Sequence, residues 1–311
     1  MRESEKILVI AHVYYPQLWP ELAGGIRNID APYDLIVTYG DEESVAEARR
    51  DFPAARFLRC ESVGYDVWPF LKALQMTDLG RYGYLVKLHT KRNIDQDLAT
   101  NHALFSDGRW RRYLLEIVRT RRSWRRAFAK LRRPGIGMVA DRRVIYDRKA
   151  NGPGYSATFD AALAEVERIV GRRGEPPHLF VAGSMFAARM EPFRLLTRER
   201  FTAEMFEQPK SHKVETFAQV MERMLGFCIS AAGLRVDACN GSIRWRLMYY
   251  GQSPLGKFLR FFFQVRTRDF TYVVKILQIP VYVKRMKRID QLVGCHDRVN
   301  VPTRASAVTR T

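Results

Sequence analysis

Residues 84–91, Tyr-Leu-Val-Lys-Leu-His-Thr-Lys, begin as an apolar strand and end in three basic groups. Alternate side chains of a strand share a face, so Lys87, His89 and Lys91 point one way and the apolar residues between them the other. A lysine in a mostly apolar strand is costly to bury unless an anion or a carboxylate meets it. For one of the three, the alternative is a basic side chain at the strand end that extends its charged group into solvent. Together they predict an anion site, in particular a phosphate site.

Apolar strand-like runs alternate with helical patterns through the first third of the chain. The runs are residues 6–11, 33–38, 55–60 and 84–88, and the helical patterns lie near residues 20–27, 44–50 and 68–79. Such alternation predicts an α/β fold with a mainly parallel central sheet and flanking helices.

Polar residues follow three of these strands. Ligands of open parallel sheets bind beyond the carboxyl ends of the strands. Those ends carry His12, Tyr14 and Tyr15, then Gly64 and Asp66, then His89 and Lys91. None of the three clusters alone indicates a particular ligand, but together they are expected to converge on one crevice.

Composition indicates a globular protein. The 311 residues suffice for one large domain or two smaller ones, and 47% hydrophobic with 12% aromatic residues exclude global disorder. The four cysteines are widely spaced with no Cys-x-x-Cys pair, which argues against a zinc site or a disulfide framework. The first residues show no signal-peptide pattern, so a cytoplasmic location is predicted.

Positive charge is concentrated in two segments. The formal net charge is +19; residues 109–133 hold eleven Arg or Lys against one acid, and residues 257–288 hold nine against one. The first segment has helical spacing of apolar residues. The second is predicted as a basic amphipathic helical region whose apolar stretch is too short and broken to span a bilayer.

Three interpretations of the basic segments are open. They are ordinary solvated helix faces, a nucleic-acid footprint, or a peripheral attachment to an anionic membrane. The density of phenylalanine in residues 257–288 favours the membrane, on the inner face of the cytoplasmic membrane, and no nucleic-acid-binding module accompanies the charge. We therefore predict an α/β domain over residues 1–245, the basic helical region over 246–290, and a polar tail over 291–311 with a composition compatible with disorder.

The second half adds a turn and a helix. Gly183, Ser184 and Met185 follow an apolar run, and a Gly-Ser pair there either lets backbone approach a ligand or is a plain turn. Residues 214–225 predict a helix on which Glu215 and Glu222, seven residues apart, share a face. Their spacing alone gives neither carboxylate a catalytic role.

Eight short sequence blocks, in a consistent order along the chain, resemble the rhamnan synthesis protein F family, glycosyltransferases of bacterial surface-polysaccharide assembly. The blocks are residues 12–16, 18–21, 33–38, 64–71, 87–91, 137–139, 182–186 and 222–223. The resemblance covers about residues 6–227. It implies a nucleotide-sugar glycosyltransferase (GT-A-like) architecture and transfer of a rhamnose-like sugar from a nucleotide-sugar donor to a glycan or lipid-linked glycan acceptor.

The resemblance also implies roles for individual residues. Many such enzymes hold a metal with Asp-x-Asp where this chain has Lys87, His89 and Lys91, so cations are expected to neutralise the leaving diphosphate without a metal cofactor, although a divalent metal is not excluded. His12, Tyr14, Tyr15, Gly64 and Asp66 would bind the donor. Gly183, Ser184, Met185, Glu222 and Arg223 would lie on the acceptor side.

Two stretches depart from the family pattern. The family's Asn-Arg-Gly-Arg-Asp is Glu-Ser-Val-Gly-Tyr-Asp at residues 61–66, and its Asp-Gly-Thr-x-x-His is Val-Glu-Thr-Phe-Ala-Gln at residues 214–219. Glu215 is therefore the first candidate for the catalytic base, with Asp66 second and His89 in an electrostatic role. The alternative is that this chain is inactive or altered in specificity.

Other classes of function compete with this one. A non-catalytic scaffold or glycan-binding subunit of a polysaccharide assembly complex would keep the fold without the chemistry, and the altered residues 214–219 favour it. A nucleic-acid-binding protein is favoured by charge alone. The chain has neither a G-x-x-x-x-G-K-[ST] loop nor a clear G-x-G-x-x-G fingerprint, which argues against P-loop and Rossmann dinucleotide enzymes.

Overall fold

A computed structural model describes residues 5–91, 107–147, 156–207, 216–241, 263–268, 271–276 and 279–285. The chain divides into two compact units, Met1–Tyr250 and Gly251–Thr311. The first unit contains the central sheet and every helix whose bounds are given below.

A seven-stranded mixed sheet forms the centre of the first unit. Its strands are β1 (Ile7–Val13), β2 (Tyr33–Tyr39), β3 (Arg56–Arg59), β4 (Tyr84–His89), β5 (Ile136–Ala140), β8 (Phe186–Arg189) and β9 (Arg235–Ala238). They lie in the order β3-β2-β1-β4-β8-β5-β9. Strand β8 runs antiparallel to both of its neighbours, and the other pairs are parallel. Strands β6 (Ile145–Tyr146) and β7 (Phe180–Val181) form a small antiparallel pair. The predicted α/β class with a mainly parallel sheet is confirmed.

Two neighbouring strands near the middle of the sheet, β1 and β4, are completely buried. Every residue of β1 and of β4 is buried, although β4 contains Lys87 and His89. Strands covered on both faces by helices read as continuous apolar runs rather than as alternating ones, as the Ile-Leu-Val-Ile-Ala run of β1 does. All four strands predicted in the first third are present.

Eight α-helices accompany the sheets within the described residues. They are α1 (Trp19–Ile26), α2 (Ala46–Asp51), α3 (Val67–Gln75), α4 (Asp107–Leu114), α5 (Arg121–Leu131), α6 (Ser156–Val170), α7 (Glu191–Leu196) and α8 (Phe217–Ala231). Helix α8 begins with a capping box, in which the Thr216 hydroxyl accepts from Gln219 N and the Gln219 side chain accepts from Thr216 N. This helix packs along α6 and against β7.

Acidic side chains pair with several arginines of the basic segment 109–133, and three of these acids, Glu5, Glu21 and Asp30, lie outside the segment. Its helix prediction is confirmed by α4 and α5, whose apolar residues Trp110, Trp124 and Leu131 are buried. The ion pairs are Arg111 with Glu21, Arg119 and Arg126 with Glu116, Arg125 with Asp30, and Arg132 with Glu5. The surface that this segment presents is thus less cationic than the sequence suggests.

The second unit differs from its prediction. Residues 263–285, expected to be helical, instead form three antiparallel strands, β10 (Phe263–Arg268), β11 (Thr271–Ile276) and β12 (Ile279–Arg285). The physical reason is composition: Val, Ile, Thr and Tyr fill the strands, and Pro280 would break a helix. Residues 246–262 and 286–311 lie outside the described residues. Among the described helices, none is both long and apolar enough to cross a bilayer.

Two helical glycines provide a test of the packing of α8. A Cβ at Gly226 would lie 2.3 Å from Leu179 O and 2.6 Å from Phe180 Cα, whereas a Cβ at Gly24 in α1 would meet nothing within 4 Å. We expect Gly226→Ala to lower the free energy of unfolding by about 1–3 kcal/mol or more. Gly24→Ala should raise it by up to about 1 kcal/mol through helix propensity. Urea unfolding followed by circular dichroism measures both, and equal effects would contradict the close approach of α8 to β7.

Candidate functional site

A row of polar side chains crosses three strands at the carboxyl edge of the sheet. In the parallel register, His12 of β1 lies opposite Thr38 of β2 on one side and His89 of β4 on the other. A hydrogen bond of 3.0 Å joins His12 Nδ1 to Thr38 Oγ1. Because paired residues of neighbouring strands point to the same face, the three side chains project together. The predicted convergence of the strand ends is therefore seen for β1 and β4.

The carboxylate of Asp66 lies on the same face. Asp66 is the residue before helix α3, and its Oδ2 accepts hydrogen bonds from Lys87 Nζ at 2.5 Å and from the Ser184 hydroxyl. Lys87 Nζ also donates to Ser184 Oγ at 2.7 Å and lies 5.3 Å from the ring centroid of Phe70. The ammonium of Lys87, 1% exposed, is thus satisfied inside the protein.

Strand direction explains how Ser184 reaches this place. Strand β8 runs antiparallel to β4 and pairs Phe186 with Lys87, so the turn before β8 lies beside the carboxyl end of β4. Ser184 and Tyr65 have positive φ angles, 45° and 54°, and they are the two non-glycine residues of that kind in the described residues. Each costs of order 1–3 kcal/mol and persists where surrounding contacts enforce it. Tyr65 precedes Asp66 in the sequence, and the Ser184 hydroxyl donates a hydrogen bond to Asp66.

Opposite charges decide the protonation of the buried pair. Burial would raise the pKa of Asp66, but its neighbours His89, Lys87 and Lys91, together with the hydrogen bond from Lys87, outweigh it and hold the pKa well below the ordinary range. Burial lowers the pKa of Lys87, and Asp66 opposes that effect. Asp66 is a carboxylate at neutral pH and a strong hydrogen-bond acceptor. Because Lys87 and Ser184 already bond to its Oδ2, Asp66 is better placed to hold neighbouring groups than to act as a base.

The imidazole of His89 is buried beside this pair. Its Nδ1 lies 3.5 Å from Asp66 Oδ2, and neither ring nitrogen has a hydrogen-bond partner among the described residues. Burial lowers the pKa of His89 well below its usual value, against the opposing effect of Asp66. The predicted row of three cations is therefore incorrect as a charge distribution: Lys87 is paired with a carboxylate and His89 is neutral. Lys91 remains as a cation beyond the strand end.

The loops above this row carry exposed tyrosines. Tyr14 and Tyr65 are 63% and 68% exposed. Thr90 Oγ1 accepts from the backbone N–H of both Tyr14 and Tyr15, at 2.9 Å each, and so ties the β1 loop to the end of β4. Gly64 adopts φ 65°, where a Cβ would lie 2.7 Å from Phe206 Cδ1, so glycine is required before Tyr65.

The residues predicted on the acceptor side have different environments. Gly183 N donates to Glu222 Oε1 at 2.7 Å, and burial raises the pKa of Glu222. Ser184 belongs to the Asp66 network described above. Met185 is part of the buried core, and the buried Arg223 donates to Gln219 O and lies 5.1 Å from the ring centroid of Phe180. Packing accounts for Met185 and Arg223, whereas Gly183, Ser184 and Glu222 join the site.

Glu215, the first candidate for the base, lies outside the described residues. The neighbouring Thr216 and Gln219 form the capping box of α8. The stretch that departs from the family pattern therefore contains a helix start, and Gln219 has a structural task at the position where the family carries His. No group of three His, Cys, Asp or Glu within the described ranges is arranged to hold a metal ion.

Sequence reasoning missed two contributors to the row and a second cluster. No role is predicted for Thr38 or Thr90 from the sequence, and the parallel register is the signal that pairs Thr38 with His12. At the carboxyl ends of β5 and β9, the buried Asp141 accepts from Arg143 Nε at 2.8 Å and from Asn240 Nδ2 at 2.9 Å. Asp141 and Asn240 are about one hundred residues apart, so no local sequence pattern predicts that they meet.

Comparison with a family model supports the resemblance seen in the sequence. The model described as rhamnan synthesis protein F matches residues 1–148. The matched region includes the β1, β3 and β4 loops with His12, Asp66 and His89, and ends before Ser184 and Glu222. The resemblance is confirmed over that part of the chain.

Two curated relatives extend the similarity beyond residue 148. The chain is 26% identical over 246 residues to Uncharacterized protein WxcX of Xanthomonas campestris pv. campestris strain B100, and 26% identical over 263 residues to the same protein of strain ATCC 33913. Each alignment covers 77% of this chain and 34% of the relative. The chain thus spans about a third of the length of these relatives.

Solved structures give weaker likenesses. A CMP:2-keto-3-deoxy-manno-octonic acid synthetase complexed with CTP has a TM-score of 0.38 at 8% identity, covering 76% of this chain and 89% of that one. Glucosyl-3-phosphoglycerate synthase from Mycobacterium tuberculosis, with Mn2+, UDP and its product, has a TM-score of 0.35 at 11% identity, covering 93% and 92%. Both TM-scores are below 0.5, so neither likeness bears on the ligands or the reaction of this chain.

Breaking the buried pair should cost far more than breaking an exposed one. Lys87→Met leaves the Asp66 carboxylate without its cation, and we expect a loss of about 3–5 kcal/mol in the free energy of unfolding. Lys72→Met removes an ion pair with Glu61 whose side chains are 22% and 49% exposed, and should cost at most about 1 kcal/mol. Denaturant unfolding at pH 7 measures both, and similar losses would show that Asp66 is effectively solvated.

His12 should make stability depend on pH. Burial lowers the pKa of His12 from 6.5 to about 4, so the unfolded chain binds this proton more readily than the folded one. Above pH 6.5 His12 is neutral in both states and does not reduce the free energy of unfolding. As the pH falls from 6.5 towards 4, protonation of the unfolded chain lowers the free energy of unfolding by about 3 kcal/mol in all. His12→Gln should flatten the unfolding free energy across this window by that amount. An unchanged slope would mean that His12 is solvated in the folded state.

Proposed function

We propose that this chain forms the nucleotide-sugar-binding part of a glycosyltransferase of bacterial surface-polysaccharide biosynthesis, of the rhamnan, O-antigen or capsule type. It would act as a hexosyltransferase that transfers a rhamnose-like sugar from a nucleotide-sugar donor to a glycan or lipid-linked glycan acceptor. The family match over residues 1–148 supports the class of protein. The observation that carries the proposal is the buried polar row at the carboxyl edge of the sheet, where open α/β sheets bind ligands.

The exposed tyrosines suit the donor. Tyr14 and Tyr65 lie within two residues of His12 and Asp66 in the sequence, and both are largely exposed to solvent. Aromatic faces stack on planar bases and on the apolar faces of sugars, while the phenol hydroxyl remains available for a hydrogen bond. The positive φ of Tyr65 costs free energy, which is accounted for if its ring must stand where a ligand meets it. We assign these two residues to donor binding, with Tyr15 and Gly64 shaping their loops.

The charge available to the leaving diphosphate comes mainly from Lys91 in this proposal. Lys87 is already paired with Asp66, so its ammonium serves the architecture of the site. A neutral His89 can still donate or accept a hydrogen bond. Metal-independent transfer therefore rests on Lys91 and on hydrogen bonds rather than on three cations. A divalent metal as cofactor remains the competing possibility that the experiment below resolves.

The acceptor is proposed to enter beside the turn before β8. Gly183 and Glu222 lie there, joined by a hydrogen bond, and the second polar cluster of Asp141 and Arg143 lies at the same edge of the sheet. A lipid-linked acceptor would place the chain peripherally on the inner face of the cytoplasmic membrane. The basic segments 109–133 and 257–288 are the surfaces proposed to meet anionic lipid, and nucleic acid is the less favoured polyanion.

A non-catalytic scaffold or glycan-binding subunit is the second candidate. The observation that favours it is the start of α8, where Thr216 and Gln219 cap the helix in the stretch that departs from the family pattern. Such a protein would keep the sheet and the membrane-facing charge but would not turn over a nucleotide sugar.

A thermal-shift panel tests the proposal. Purified chain is heated with UDP, GDP, dTDP and their sugars, each with and without a chelator. We expect one nucleotide family to raise the melting temperature, with no effect of the chelator. The matched control is Tyr65→Gly, which removes the ring yet tolerates the positive φ, and which should weaken the shift without unfolding the protein.

The other outcomes discriminate among the alternatives. A shift abolished by chelator and restored by manganese would replace metal-independent transfer with a metal-dependent reaction. No shift with any nucleotide would contradict donor binding and favour the scaffold. Salt-sensitive binding to duplex DNA without any response to nucleotides would favour the nucleic-acid interpretation.

A further inference from the structure

His89 is a buried polar group without a protein partner. The residue is 3% exposed, and both ring nitrogens lack a hydrogen bond within the described part of the chain. Buried polar atoms are almost always paired, because leaving one unpaired costs free energy, and an exception calls for an explanation. The surroundings of His89 are otherwise satisfied: Lys87, Ser184 and Asp66 bond to one another, and His12 bonds to Thr38. Of the side chains in this row, His89 is the one whose ring nitrogens are buried and have no protein partner within the described residues.

The position of Asp66 fixes which nitrogen faces the ligand. Asp66 Oδ2 is the polar protein atom placed near the ring, 3.5 Å from Nδ1. A carboxylate accepts hydrogen bonds, so it favours the tautomer with the proton on Nδ1 and leaves the lone pair on Nε2. The carboxylate cannot turn away easily, since Lys87 and Ser184 hold the same oxygen. The distance to Nδ1 is longer than a formed hydrogen bond, as catalytic contacts often are before substrate binds.

We propose that His89 Nε2 is the general base that takes the proton of the acceptor hydroxyl, and that Asp66, held by Lys87 and Ser184, is the positioning residue that sets the tautomer of the ring. This inference rests on the proposed glycosyl transfer. A carboxylate that orients an imidazole towards a hydroxyl group is a known arrangement for activating that group. It assigns the base to a residue within the site, in place of Glu215.

The reaction is a direct displacement at the anomeric carbon of the donor sugar. The acceptor O–H proton moves to His89 Nε2 as the acceptor oxygen forms its bond to the anomeric carbon of the donor sugar. The bond between that carbon and the diphosphate oxygen breaks, and its electron pair leaves with the nucleoside diphosphate, beside Lys91. His89 then carries the proton as an imidazolium facing the Asp66 carboxylate and returns it to solvent. A single displacement of this kind inverts the configuration at the anomeric carbon.

The groups around His89 keep it neutral before the reaction. The charged and titratable neighbours that face it are Asp66, Lys87, Lys91 and His12. Burial lowers its pKa, Asp66 raises it, and the two lysines and His12 lower it further. The ring is therefore unprotonated at neutral pH and able to accept a proton. Turnover should fall only on the acid side, at a pH well below the usual pKa of histidine, as the ring becomes protonated.

The experiment compares donor binding with turnover in His89→Gln. The probe is the nucleotide sugar that stabilises the wild-type chain in the panel, and turnover is the release of nucleoside diphosphate with water or a simple rhamnoside as acceptor. We expect His89→Gln to bind the donor within about threefold of wild type and to lose about 10²–10⁴-fold in turnover. The matched control is His178→Gln. His178 is a half-buried histidine bonded to Ser230 Oγ and away from this row, and its replacement should leave turnover unchanged.

Asp66→Asn tests the positioning role separately. Removing the carboxylate takes away the group that raises the pKa of His89, so the acid limb of the pH–turnover profile should move to lower pH as turnover falls. An unmoved limb would show that the group titrating in turnover is not His89, and would overturn the assignment of the base. Circular dichroism at each pH confirms that the variant is folded.

The results separate this inference from the proposed function. Loss of donor binding in His89→Gln, in parallel with turnover, would overturn the base role and make His89 a donor-binding group, while glycosyl transfer would stand. Wild-type turnover in His89→Gln, or donor binding by the wild-type chain without any turnover, would also overturn it. A wild-type chain that binds no nucleotide sugar would instead remove the proposed function itself.

Discussion

The buried carboxylate of Asp66 is the contact on which the site depends. It joins the start of α3, the end of β4 through Lys87, and the turn before β8 through Ser184. An ammonium placed in the middle of an apolar sheet is tolerated because this carboxylate meets it, and the carboxylate is tolerated because the ammonium meets it. The positive φ angles of Tyr65 and Ser184 lie on either side of this contact, where surrounding bonds enforce them.

Pairing of this kind changes the chemistry that the site can perform. Three basic residues on one face suggest a strong positive potential for a diphosphate. In the folded chain Lys87 is neutralised and burial keeps His12 and His89 uncharged, so proton transfer and hydrogen bonding become the main contributions. The same effect operates in residues 109–133, where Glu5, Glu21 and Asp30, which are distant in sequence, pair with three of the arginines. A local count of charges overstates the positive potential of both regions, because acidic partners come from elsewhere in the fold.

The antiparallel strand β8 is what completes the site. A sheet of parallel strands alone would bring only strand ends to the carboxyl edge. Reversal at β8 brings the start of a strand there as well, and with it Gly183 and Ser184. Glu222 of α8 then reaches Gly183 N, so groups from the first and second halves of the chain meet in one place. The family match stops at residue 148, before these residues, which leaves their geometry as the main argument for including them.

The sequence by itself determined the α/β class, the first four strands, and the presence of His12, Asp66 and His89 near one edge, because short continuous apolar runs and polar strand ends are local properties. It did not determine which groups would pair. Whether Lys87 meets a phosphate or a carboxylate depends on the path from β3 to α3, and the three strands of residues 263–285 depend on pairing between segments. Tertiary structure decided both, because a charge buried in an apolar sheet and an unpaired strand edge are each satisfied only by partners remote in sequence.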